Sequence, residues 1–435
     1  VQIKQTRRVQ RRQAKRKTSA LAAALTGVAL VAAACGSSST TAPAAKGPAK
    51  APADITVGTL YSGSGSYATS SQPELAGLKF WISQENAKGG AYVAAYHKRI
   101  PLELVDYNDQ SSTSTATVDY EQLITQDHVN ILVADFGSVL TAPAVTIAEE
   151  HKTLLFDPTG TGTAFFTPNN PYIVLTSLPT SAVWPDPLVS FIEHEKISRV
   201  AIVYDSNDFD ASQATTIKDG LAKAGITPVI DEAVPTATTS YGTIISTVAA
   251  KHPQAFLELG YSTNDIPFLQ NLQSSGDHFD MVFTAFPGQL HSLLESNVGE
   301  KGLAYTFSYG FPPQISFSHV NEGMTTSQFV SAFGHGNVND VNFLDVAGYQ
   351  AGLVIQAALD HATSLTQSAL RAALAAESGK LQTLDGSFVI NSEGAQLGER
   401  LPVSQLFPAD GGTTTKIGIV YPSSAANTAV HYPAP

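Results

Sequence analysis

Cysteine is almost absent from this chain: one residue, Cys35, in 435. A single cysteine forbids an internal disulfide, so stability has to come from core burial. Basic side chains are nearly as scarce once residues 1–17 are set aside. Those positions hold eight of the 25 Lys and Arg and no acid; the remainder carries 17 against 37 Asp and Glu, a net of −20. No basic patch is left to neutralise phosphates, which argues against nucleic acid as a partner and against docking of the folded part on an anionic membrane. No apolar run after residue 34 is long enough for a transmembrane helix.

Catalytic signatures are missing too. There is no G-x-S-x-G and no H-E-x-x-H, and the eleven histidines include no pair at i, i+4. Gly63-Ser64-Gly65-Ser66-Tyr67-Ala68 fits a dinucleotide fingerprint by its letters. The helix predicted after it starts only at Pro73, however, and the next strand ends well beyond the usual spacing. Asp106/Asp109 and Asp205/Asp208 follow predicted strands, where loop and N-cap duty is commoner than acid–base catalysis. No cofactor, no metal and no enzymatic activity are expected.

What is present begins with the basic stretch. Ala20 to Ala34 is apolar apart from Thr26 and Gly27, and short for a bilayer span. A basic region followed by such a run is an export signal. It ends in Ala32-Ala33-Ala34-Cys35-Gly36-Ser37, which resembles a bacterial lipobox with Ala32 in place of the favoured Leu. In that motif the cysteine is acylated and becomes the new N-terminus, and two or more acyl chains hold a protein to a membrane without a transmembrane helix. Ser37 to Ala53 is built of Ser, Thr, Ala, Pro and Lys with one Gly, and reads as a tether.

From Ile55 onward strands and helices alternate, which predicts an α/β fold with parallel sheets. So long a chain exceeds a single core, so two lobes are expected. The predicted division is 1–34 signal peptide, 35–53 lipid-anchored flexible tether, 54–179 first part of lobe 1, and 180–307 lobe 2. A return to lobe 1 with the hinge follows at 308–390, then β segments and a tail at 391–435. Predicted strands of lobe 2 are Val200–Tyr204, Ile226–Ile230, Ala255–Leu259 and Phe279–Thr284, with a further strand at Leu303–Phe307.

Two strand ends stand out. Ile131 to Ala134 runs into Asp135-Phe136-Gly137-Ser138, and Leu154 to Phe156 into Asp157-Pro158-Thr159-Gly160-Thr161. A helix is predicted between them over Ala142–Glu150, so both strands end on one edge of a parallel sheet, where ligands bind. Small hydroxyls and backbone N–H groups there form a cradle for an anion such as a carboxylate. Ordinary turn and N-cap chemistry is the plainer alternative.

The order of short stretches makes a family resemblance specific. Ile55-Thr56-Val57-Gly58 with Ser62-Gly63, Glu85 to Gly90, Leu102 to Asp109, Ser138 to Pro143, Pro158 to Thr161 and Val200 to Asp205 together resemble the branched-chain amino-acid receptors of ABC importers. The likeness covers about Ile55 to Ile390. It implies the type I periplasmic binding protein fold, two Rossmann-like lobes joined by a hinge, closing on a small ligand and docking to ABC permease subunits.

In that family a Ser after the third strand and a Thr after the fourth hold the ligand's carboxylate. Ser138, Thr159 (through its backbone) and Thr161 fall on those positions, and Tyr67, Phe209 and Tyr261 on the aromatic walls. The family's acidic partner for the ligand's ammonium follows the Phe279–Thr284 strand, where this chain reads Ala285-Phe286-Pro287-Gly288. The implied ligand is an amino acid or a related carboxylate, with the amino acid in doubt. A membrane-anchored sensory protein without transport and, further off, an exported Rossmann-like enzyme are the alternatives.

Overall fold

The computed structural model describes residues 50–435; the predicted signal segment, Cys35 and the tether up to residue 49 lie outside the described residues. Strand β1 (Ile55–Tyr61) is buried at nearly every position, as a strand covered on both faces must be. A small hairpin, β2 (Ala91–Val93) and β3 (Lys98–Ile100), leads into β4 (Leu102–Asn108). With β5 (Ile131–Val133), β6 (Leu155–Asp157) and β7 (Ile173–Leu175), β1 and β4 form a parallel sheet in the order β4-β1-β5-β6-β7. Helices α1 (Ala68–Ala87), α2 (Thr113–Thr125) and α3 (Gly137–His151) connect these strands.

After the Pro179–Pro187 segment the pattern repeats. Helix α4 (Asp186–His194) precedes β8 (Val200–Asp205), α5 (Asp208–Lys223), β9 (Ile230–Val234), α6 (Gly242–Ala249) and β10 (Ala255–Leu259). Then come α7 (Ser262–Ser275), β11 (Met281–Phe283), α8 (His291–Val298), α9 (Glu300–Leu303) and β12 (Phe307–Tyr309). The parallel order is β9-β8-β10-β11-β12, the same second-first-third-fourth-fifth order as in the first sheet. In each sheet the order reverses beside the first strand, and a crevice opens beyond the carboxyl ends there.

The chain then returns to the first lobe with α10 (Thr326–Ala332), α11 (Phe343–His361) and α12 (Gln367–Glu377), followed by the hairpin β13 (Gln382–Thr383) and β14 (Gly386–Ser387). All but the last two residues of α11 are buried. It crosses α1 so closely that a Cβ at Gly77 would strike the Asp345 carbonyl, and one at Gly348 the Glu74 carbonyl. Glycine at both contacts is what allows the two backbones to touch. Finally β15 (Val403–Ala409) and β16 (Thr414–Tyr421) add to the second sheet, β15 antiparallel to β12.

Several elements differ from their predicted bounds. The helices predicted from Pro73 and Ala142 begin at Ala68 and Gly137, with Pro73 and Pro143 in their second turns. Proline favours the first turn of a helix but does not fix where that turn lies. The strand predicted at Ile226–Ile230 starts only at Ile230, because the Ile226 N–H closes the end of α5 on the Leu221 carbonyl at 2.8 Å and Pro228 has no N–H to give. The strand predicted at Leu303–Phe307 is replaced by the end of α9 and then β12, since the Leu303 and Ala304 N–H groups bond to Gly299 and Glu300 in a helical turn.

Candidate functional site

The carboxyl edges of the two sheets face each other, and every residue predicted to bind the ligand lies on one of them; Cys35 is outside the described residues. Gly137, at φ +76, turns the chain from β5 directly into α3, which puts Ser138 in the first helical turn. Its Oγ accepts a hydrogen bond from the Gly162 N–H at 2.9 Å, tying the loop after β6 to the helix N-terminus. Thr159 Oγ1 accepts from the Gly137 N–H at 3.0 Å and donates to Glu74 Oε2 at 2.6 Å. The predicted backbone role of Thr159 is therefore joined by a side chain that fixes the loop. Thr161 differs from both: its carbonyl accepts from Ser181, while its buried Oγ1 has no partner.

From the second lobe, Phe209 enters at the start of α5 and Tyr261 from the end of β10. The Tyr261 ring lies 5.4 Å from Tyr67, 5.8 Å from Phe136, 5.3 Å from Phe209 and 5.8 Å from Phe286, centroid to centroid. It thus reaches into the first lobe, packed so close to Gly137 that a Cβ there would be 3.2 Å from its ring. The Tyr261 hydroxyl has no partner of good geometry but lies near the Ser138 and Val139 N–H groups at the start of α3. Burial holds its pKa well above the ordinary phenol value, with those two amides pulling the other way. A second link between lobes is the Ala164 N–H, which donates to Asp208 Oδ2 at 2.9 Å.

The cleft is lined by Phe136, Gly137, Thr159, Thr161, Leu178, Trp184, Phe209, Tyr261, Phe286, Gln289 and Phe343. Its cavity volume is ≈ 10 Å³, room for about one water molecule. A small-molecule ligand needs several hundred Å³, so the lobes must separate or Tyr261 must turn before one enters. Of the predicted residues, Thr159, Thr161, Phe209 and Tyr261 line this space; Ser138 and Tyr67 stand one layer behind it. Phe136, Leu178, Trp184, Gln289 and Phe343 were not predicted. Trp184, one of two tryptophans, sits in the Pro-rich crossing with its Nε1 donating to the Pro179 carbonyl at 2.7 Å.

Among the described residues, no Lys, Arg, His, Asp or Glu lines the cleft. Behind the second-lobe wall, however, Asp205, Asp210, Glu258 and Asp265 are all fully buried. Burial first, and then mutual repulsion, raises Asp205 to about 8 and holds Asp210 and Glu258 well above the carboxylate range. Burial also raises Asp265 to about 7, against hydrogen bonds from Glu258 and the Phe286 N–H. Phe286 itself, in the turn where an ammonium partner was sought, is an apolar wall whose N–H donates to Asp265 Oδ2 at 2.8 Å. The Gly63–Ala68 loop is likewise pinned: Asn108 Oδ1 accepts from the Gly63 N–H and Ser111 Oγ from the Tyr67 N–H. Those amides are not free to cradle a pyrophosphate.

Comparison with known proteins agrees with this architecture. Over 223 residues the chain is 23% identical to a Leu/Ile/Val/Thr-binding protein of Salmonella typhimurium, covering 51% of this chain and 59% of that one. The chain thus spans about three-fifths of the length of that curated relative. A leucine-binding protein of Thermotoga maritima superimposes with a TM-score of 0.71 at 14% identity, over 85% of this chain and 99% of its own. A solute-binding protein of an ABC transporter from Rhodopseudomonas palustris, in complex with p-hydroxybenzoic acid, gives 0.70 at 17% identity over 88% and 98%. The sequence model of the periplasmic binding protein family matches residues 54–412, and with two like-ordered α/β lobes closing on an aromatic cleft, the chain belongs to that family.

Proposed function

We propose that this chain is an extracytoplasmic receptor, lipid-anchored to the cell membrane through Cys35, that captures a small aromatic carboxylate between its lobes and delivers it to the permease subunits of an ABC importer. The observation that carries the ligand class is the cleft lining: six aromatic side chains and no charged one. A carboxylate head finds hydrogen-bond donors in the first turn of α3 and in Thr161, in the electrostatic setting of a helix N-terminus. Burying an unpaired ammonium is costly, so an α-amino acid is disfavoured. The reported complex of a like-folded protein with p-hydroxybenzoic acid supports the same class.

Hydrogen bonds to a charged group contribute roughly 1.5–3 kcal/mol each, and micromolar binding needs about 8 kcal/mol. The donors therefore supply about half, and burial of an aromatic ring the rest. Calorimetry should find benzoate or 4-hydroxybenzoate binding at micromolar level and leucine, isoleucine and valine at least tenfold weaker. Equal or tighter binding of any of the three amino acids would refute the ligand class. For the anchor, Cys35→Ser should leave the protein unprocessed or released to the medium. A mutant still processed and membrane-bound would remove that part of the reading.

A further inference from the structure

Three buried polar atoms at the cleft lack a partner among the described residues: Thr161 Oγ1, Tyr261 Oη and Gln289 Nε2. Thr161 and Tyr261 belong to the pole beside α3. Gln289 comes from the second lobe, as Tyr261 does, but from the turn after β11. Its backbone is held on both sides: its N–H donates to the Phe286 carbonyl at 2.9 Å, and its carbonyl accepts from the Phe343 N–H at 3.1 Å. The preceding Gly288 N–H donates to Ser308 Oγ at 3.1 Å, and a Cβ at Gly288 would collide with the Tyr309 carbonyl. The turn is therefore rigid, and Gln289 within it is 3% exposed. Buried donors are nearly always paired, and one left unpaired at a ligand cleft calls for an acceptor from outside the fold. Its neighbours in the lining, Phe286 and Phe343, offer none from their side chains.

We infer that Gln289 is a specificity-determining residue that reads the far end of the ligand, donating from Nε2 to an uncharged oxygen on the ring of the aromatic carboxylate. This rests on the ligand class proposed above and narrows it to ring acids bearing a hydroxyl or carbonyl oxygen opposite the carboxylate. A carboxamide suits such an oxygen because it carries no charge and offers two N–H donors. A site built to hydrogen-bond a ligand oxygen discriminates strongly against an analogue that lacks it, because the donor is then buried unpaired.

The test uses the full protein and three probes: benzoate, 4-hydroxybenzoate and 4-methylbenzoate, which matches the second in size without the oxygen. Wild-type protein should bind 4-hydroxybenzoate roughly tenfold or more tightly than 4-methylbenzoate. Gln289→Met, similar in length and apolar, should bring that ratio to within about threefold. A thermal midpoint close to that of the wild type certifies the fold of the variant. Wild-type protein that binds benzoate but does not separate the two substituted probes overturns this inference alone. So does a Gln289→Met protein that keeps the ratio. Failure of all three probes to bind overturns the aromatic-carboxylate reading and this inference with it.

Discussion

Replacing Asp157 by asparagine should make the protein more stable at alkaline pH and change little in acid. Asp157 is fully buried at the end of β6. Its Oδ1 accepts from the Gly160 N–H at 2.6 Å, and its Oδ2 has no partner. Burial raises its pKa to about 7, against the pull of the Gly160 and Thr159 amides. An unfolded aspartate titrates near 3.9. Between those values the native state keeps a proton that the unfolded chain has released. The group's contribution is therefore complete below about pH 4 and is lost as pH rises through 7. A shift of roughly three units corresponds to something on the order of 4 kcal/mol, against a total stability of about 5–15 kcal/mol.

Asparagine keeps an acceptor for Gly160 and never ionises. At pH 4.5 the two proteins should match within about 1–3 kcal/mol, the cost of an unpaired amide donor. At pH 8.5 the variant should lead by up to about 4 kcal/mol. Urea unfolding across this range, followed by circular dichroism, measures both curves. Parallel pH profiles, or a wild type ahead at pH 8.5, would show that Asp157 does not titrate as its surroundings require.

Ser138 and Thr161, alike in the sequence, should now separate. Thr161→Ala should weaken a bound carboxylate about tenfold at almost no cost in stability, because its hydroxyl is unpaired in the fold. Ser138→Ala should also lower the melting midpoint, because it strands the Gly162 N–H; equal midpoints for the two variants would contradict this. Carboxylate binding should weaken as pH rises from 6 to 9. Over that range Asp265 and Asp205, raised to about 7 and 8, ionise behind the Tyr261 wall beside Asp210 and Glu258 and repel the anion. Calorimetry with benzoate showing flat affinity over those pH values would remove the cluster from the account.

The edge on which the site is built was legible because a short apolar strand ending in Gly, Ser and Thr looks the same in one dimension as in three. Thr161, Phe209 and Tyr261, which line the cleft, were named on that ground or through the family resemblance. Phe136 lay inside the same stretch and went unread, since one Phe at a strand end is as common in a core as in a cleft. Gln289 gave no local signal: its place depends on the turn after β11 being clamped by Ser308 and Phe343, contacts remote in sequence. Of the buried acids behind the second-lobe wall, only Asp205 was read, paired with Asp208 as a loop or cap residue; Asp210, Glu258 and Asp265 gave no signal. Their gathering behind one wall comes from Asp205 at the end of β8, Glu258 in β10 and Asp265 in α7, and only the strand order brings those together.

The way the last strands join the second sheet bears on when the protein becomes itself. Tyr309 at the end of β12 pairs with Val403 at the start of β15, and α1 finds its partner only in α11. Neither lobe is a contiguous stretch of chain. Until the segment Val403–Tyr421 has emerged, β12 is an open edge strand with unpaired N–H and carbonyl groups. Pairings so remote in sequence form slowly, because long loops must close before any contact is made. A chain of this design resists folding from its front end as it is synthesised. For the exported receptor proposed above this would be an asset: the polypeptide would stay threadable until the Val403–Tyr421 segment had followed.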